Sequence, residues 1–100
     1  MSNVKQARAA LVTRILEGPG KTTPSERRAA FNNSGVRKPL ATLVDKVATH
    51  SSTITDADLA VPKASGVGED QAFEIVVCAA IGQAIRQYEA ALSALEATAR

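Results

Sequence analysis

One hundred residues, 45% apolar and 22% charged, fit one small folded domain, and 3% aromatic content with no Trp leaves no platform for stacking bases. One Cys and one His exclude a disulfide framework and a zinc site built from those two residue types alone. No run of about 18 apolar residues offers a membrane span and no signal-peptide core opens the chain, so a cytoplasmic domain with no membrane contact is expected.

Charge is divided along the chain. Residues 1–50 hold nine Lys/Arg against three Asp/Glu (+6), residues 51–100 hold three against seven (−4), and the net is +2. Such polarity draws anions to the first half, or lets opposite halves of neighbouring subunits meet. The basic residues are spread along the chain rather than gathered on one recognition helix, which disfavours nucleic acid as the partner.

The first predicted helix starts at a Ser2 cap and runs to about Glu17, with Val4, Ala7, Leu11 and Ile15 at spacings of three and four. Gly18-Pro19-Gly20 ends it. Thr23-Pro24-Ser25-Glu26 reads as a helix start, with Thr23 as cap, Pro24 at the first helical position and Glu26 reaching back as a capping box. Asn32-Asn33-Ser34-Gly35 ends that short helix. Pro39 opens a third, with Leu40, Leu43, Val44 and Val47 on one face, fading at His50-Ser51-Ser52-Thr53. Thr55-Asp56-Ala57-Asp58 caps a fourth, which Pro62 is expected to cut or distort.

Ser65-Gly66-Val67-Gly68 is a turn, and Gly68 with Glu69 and Asp70 starts the strongest element, a helix from about Glu69 to Ala97. It is roughly 40 Å long at 1.5 Å per residue. Two apolar rows run along it. Val77, Ile81, Ala84, Tyr88, Ala91 and Leu95 alternate spacings of four and three, and Ile75, Cys78, Gly82, Ile85 and Leu92 lie beside them. From Ile75 to Ile81 no residue is charged, so burial on nearly all sides is expected there. Ala79, Ala80, Gly82 and Ala84 keep the surface thin enough for another helix to approach. No alternating strand pattern occurs. The expectation is an all-α fold, a single domain over 1–100 made of N-terminal helices and loop (1–38) and a helical core (39–100). Four or five helices, two of them short, oligomerise through the last.

The order Thr55-Asp56-Ala57-Asp58-Leu59, then Gly66-Val67-Gly68-Glu69-Asp70-Gln71-Ala72-Phe73-Glu74 and Ile75-Val76-Val77-Cys78-Ala79-Ala80-Ile81-Gly82, is similar to the carboxymuconolactone decarboxylase and alkylhydroperoxidase D-like superfamily. Arg86 and Ala90-Ala91-Leu92 resemble the continuation of that family's closing helix, and Pro39 through His50 resembles the helix before it. The likeness covers about residues 39–95. It implies an AhpD-like all-α fold that assembles into trimers or hexamers. Active peroxidase members use a Cys-x-x-Cys pair with a nearby His and Glu, and decarboxylase members act on a lactone acid. This chain has no Cys-x-x-Cys.

Three residues are candidates for chemistry. Cys78 is the single thiol, but a peroxidatic thiol needs a lowered pKa and access, and the apolar residues around it supply neither. Glu74, one turn earlier, raises a thiol pKa when ionised; its own readings are a solvated rim position or a pair with Arg86 or an arginine of the first half. His50 stands at a helix end, either as a cap or as a general base across from Glu74 or Glu69. Arg27-Arg28 and Arg37-Lys38 are the densest basic pairs, read as solvated faces or as an anion site near the helix starts. Gly18-Pro19-Gly20-Lys21-Thr22 ends like a phosphate loop but lacks its first Gly, strand and helix.

These readings favour an oligomeric small-molecule-binding or assembly protein without thiol peroxidase activity, since no resolving thiol exists within the chain. Its partners are copies of itself and a small apolar or acidic ligand, with no cofactor. The alternatives are a peroxidase or lactone-acid decarboxylase-like enzyme using Cys78 or a His50/Glu74 pair, and a helical nucleic-acid module.

Overall fold

The structure is a computed structural model that describes the backbone of residues 2–99 and the side chains of residues 3–99. Five α-helices follow in order: α1 (Ser2–Glu17), α2 (Pro24–Asn32), α3 (Lys38–Thr49), α4 (Asp56–Ala64) and α5 (Glu69–Thr98), with one 3₁₀ turn at Ser51–Thr53. No strand occurs among the described residues. The side chain of Ser2, expected to cap α1, lies outside the described residues.

Local chemistry sets most boundaries. Thr23 Oγ1 accepts from the Glu26 amide and Glu26 accepts from the Thr23 amide, the reciprocal box read in the sequence. Thr55 and Asp58 repeat it at the start of α4. Gly68 has no side chain to offer at the start of α5, so only the returning half of the box forms, its amide donating to Gln71 Oε1 at 2.9 Å. Helix α2 ends where Asn33 turns left-handed (φ 50°) and the Ser34 amide closes back on the Ala29 carbonyl at 3.0 Å. Helix α4 ends the same way through Gly66 (φ 87°), with the buried Val67 donating to the Pro62 carbonyl at 2.9 Å.

Pro62 does not cut α4, which continues two residues past it to Ala64. Pro62 removes a single amide donor near the helix end, while its ring is buried under 2% exposure and its carbonyl anchors the closing turn. Lys46 Nζ on α3 meets Asp58 Oδ2 at 2.7 Å and fixes α4 beside α3.

The core is a cluster of Leu16, Ala30, Leu40, Val44, Val67, Ile75, Cys78 and Ala79, drawn from α1, α2, α3, the α4–α5 turn and α5. On α5 the row Ile75–Cys78–Gly82 is the one that faces α2 and α3. Close approach explains the choice. A Cβ at Gly82 would overlap the Phe31 carbonyl oxygen and come within 2.7 Å of its carbon, so only glycine lets the end of α2 lie on α5. One turn later Arg86 Nη1 donates to that same Phe31 carbonyl, one of the orphan acceptors at the end of α2.

Burial on all sides between Ile75 and Ile81 is not what the structure has: Ala80 is exposed, and Val76, Val77 and Ile81 are only partly covered. Along the other row, Tyr88 is 50% exposed and Leu95 68%. Helix α1 likewise commits only its last turns. Leu16 is buried with Val12 and Ile15 against the core, whereas Val4 and Leu11 lie half exposed. The first part of α1 and the second half of α5 form an arm, joined where Arg8 meets Glu89 at 3.6 Å and lies 5.5 Å from the Tyr88 ring centroid. The arm stretches the molecule to 51 × 30 × 19 Å, with a radius of gyration of 15.1 Å. A compact chain of this length has about 13 Å.

Candidate functional site

The polar centre of the molecule is the loop between α1 and α2. Glu74, on the first turns of α5, accepts from the Lys21 amide at 2.7 Å, the Thr22 amide at 2.9 Å and Thr22 Oγ1 at 2.7 Å. Two successive backbone amides and a hydroxyl make a nest for an anion, and the chain fills it with its own carboxylate. A Cβ at Gly20 would come 2.8 Å from Glu74 Oε1, so a side chain there would oblige the carboxylate to shift. These donors hold the Glu74 carboxyl below the ordinary carboxylate range, the Lys21 amide contributing most, and the nearby Arg27 charge adds to the effect.

Arg27 holds the other side of the loop. It is only 5% exposed, and its guanidinium donates to the carbonyls of Ile15 at 3.0 Å, Gly18 at 2.8 Å and Thr22 at 2.9 Å. It thereby places a positive charge at the C-terminal end of α1, where free carbonyls favour one. Its Nε is buried without a partner. Arg27 and Glu74 together clamp a segment that has no secondary structure of its own.

Beside this clamp lies a cleft of about 350 Å³ lined by Arg14, Ile15, Pro19, Arg27, Phe73, Glu74, Val77 and Cys78. Cys78 forms part of its floor, yet the residue is only 1% exposed. Burial pushes its thiol pKa up; Arg27 opposes this and Glu74 adds to it. The thiol is therefore protonated and packed, the opposite of an activated nucleophile.

The structure brings two of the three candidate residues together and leaves the third apart. Glu74 and Cys78 share the cleft. His50 is exposed beyond the end of α3, its Nδ1 within 2.9 Å of Thr49 Oγ1, and Glu74 spends its acceptors on the α1–α2 loop. A His50/Glu74 acid–base pair is thus not formed. Glu74 is also neither a freely solvated rim residue nor the partner of Arg86, which serves Phe31 and Gln83.

Reading Arg27-Arg28 as one solvated pair misses Arg27. The spacing Arg27–Ala30–Phe31 is the available signal, placing Arg27 on the inward face of α2 while Arg28 points out to Glu17 at 3.6 Å. Arg37 pairs with Glu26 at 3.6 Å. No group of three or more His, Cys, Asp or Glu side chains able to hold a metal occurs among the described residues, and no helix there is long and apolar enough to cross a membrane. No protein-family model, curated protein or solved structure matches the chain.

Proposed function

We propose that this chain is a divergent alkylhydroperoxidase D-like helical protein without thiol peroxidase activity. It works as an oligomer of the trimer or hexamer type that its sequence resembles, as an assembly protein with a small-ligand cleft. The observation that carries the reading is the uncovered apolar row on the second half of α5. Leu95 is 68% exposed and Tyr88, although Arg8 of α1 lies over its ring, is 50% exposed, both in the row read as a helix seam. Monomeric proteins seldom leave a continuous apolar strip of that kind in water.

Chemistry at Cys78 is disfavoured by the same structure, since the thiol is buried, has a raised pKa and has no second cysteine to resolve it. The cleft above it suits a small apolar or acidic molecule: Ile15, Val77 and Phe73 give apolar walls and Arg14 a cation at the edge. Two measurements test the reading. Organic hydroperoxide added to the native, reduced protein should oxidise Cys78, followed by intact mass, no faster than free cysteine at the same pH. Leu95→Asp should lower the molar mass measured by light scattering. Rapid oxidation of Cys78, or a native chain that is already monomeric, overturns it.

A further inference from the structure

We propose that the cleft beside the loop clamp takes a short aliphatic carboxylate, its head group on Arg14 and its chain on Ile15, Phe73 and Val77; this rests on the small-ligand reading above and names the ligand class. Two observations point to an anionic group. Among the described residues Arg14 is the one arginine with neither an ion pair nor a side-chain hydrogen bond. Arg8, Arg28 and Arg37 meet carboxylates, and Arg27 and Arg86 donate to carbonyls. Arg27 lines the same cleft as Arg14 and is 5% exposed, and its Nε has no acceptor. A buried donor without a partner is costly, which favours a ligand that carries acceptors to this wall.

Charge balance sets the sign and number of the ligand's charges. The cleft has one carboxylate of its own, Glu74, and it is already occupied: it accepts from the Lys21 amide, the Thr22 amide and Thr22 Oγ1, with the Arg27 charge nearby. Cys78 adds no charge, because burial keeps its thiol protonated. Two guanidinium groups against one carboxylate leave one positive charge over, the balance that a monoanion meets and a cation does not.

The remaining lining decides the body of the ligand. Ile15, Pro19, Phe73 and Val77 carry no polar side-chain atom, so nothing there recognises a hydroxyl or a second acid. Phe73 is 61% exposed, apolar area that a hydrocarbon chain would cover. A volume of about 350 Å³ lies near the lower end for small-molecule sites, which limits the chain to about eight carbons.

The test titrates the full chain at pH 7 with octanoate, 1-octanol and octylamine, which share a chain and differ in head group, and follows binding by calorimetry. Octanoate should bind once per protomer, with octanol weaker by about tenfold or more and octylamine weaker still. Arg14→Gln should weaken octanoate by about tenfold or more, and Arg14→Lys should restore part of the loss. Phe73→Ala should weaken octanoate and octanol alike. Both positions are exposed, so these variants should keep the native circular dichroism spectrum. Octanol or octylamine binding as tightly as octanoate overturns the carboxylate assignment while sparing the small-ligand reading. Octanoate binding that survives Arg14→Gln but is lost in Arg8→Gln places the site on the arm and overturns the proposal. A chain that binds none of the three overturns both the proposal and the small-ligand reading.

Discussion

Gly82→Ala separates two opposite expectations about the longest helix. By helix propensity alone the change removes a glycine from a helix interior and stabilises by about 1 kcal/mol. The packing argues the other way. The new methyl would meet the Phe31 carbonyl group, with its carbon at 2.7 Å and Phe31 Cα at 2.9 Å. Those are backbone atoms held by Arg86, so they cannot swing aside as a flexible side chain would. Overpacking of this kind costs about 1–3 kcal/mol, and a backbone obstacle puts it near the upper end. The net expectation is destabilisation by about 2 kcal/mol, a fall in Tm of roughly 8–16 °C for a chain of this length. Thermal unfolding followed by far-UV circular dichroism, at matched protein concentration, reads it directly. Ala90→Gly on the exposed face of the same helix calibrates propensity alone at about 1 kcal/mol. An unchanged or raised Tm in Gly82→Ala refutes the close α2–α5 contact.

Four further outcomes follow from the clamp and the thiol. Glu74→Gln weakens three hydrogen bonds to the α1–α2 loop and should cost about 1–3 kcal/mol in urea unfolding at pH 7; an unaffected midpoint contradicts the clamp. Both Glu74 and Asp58 have carboxyl pKa values lowered in the folded chain, Asp58 chiefly by the Lys46 bond. Their stabilisation is thus complete above the unfolded values, 4.5 for Glu74 and 3.8 for Asp58, and is lost as pH falls through the folded values. Glu74→Gln should accordingly flatten the acid limb of a stability–pH profile. Arg27→Met leaves three carbonyls without their donor and should destabilise by about 3 kcal/mol, whereas Arg28→Met should stay within about 0.5 kcal/mol; similar effects for both would remove the distinction drawn between them. Cys78 should react with a maleimide only at the rate of unfolding, and a fast reaction in native buffer would contradict its burial.

What the sequence made legible was chiefly what adjacent residues decide. Thr23 to Glu26 and Thr55 to Asp58 are capping contacts three residues long, and the chain needs nothing distant to form them. The two rows on α5 were also visible as spacing. Which row would turn inward was not visible, because it depends on the Phe31 carbonyl meeting Gly82 across 51 residues of chain. The Glu74 contacts with Lys21 and Thr22 span 53 and 52 residues and have no local signature. Arg27 looked like its neighbour Arg28 until α2 was laid against the end of α1. Pro62 misled for the opposite reason: a local rule against proline in helices yielded to burial of the ring and to the turn closed by Val67. His50 was drawn toward Glu74 by chemistry alone, and the fold separates them.

Assembly through α5 is the claim on which the functional reading stands, and sedimentation velocity of the native chain over a wide concentration range tests it most directly. The native chain should sediment as a particle at a multiple of the 10.4 kDa protomer mass, and Leu95→Asp should shift it toward 10.4 kDa. A native species that stays at 10.4 kDa at every concentration, and unfolds cooperatively as such, contradicts it.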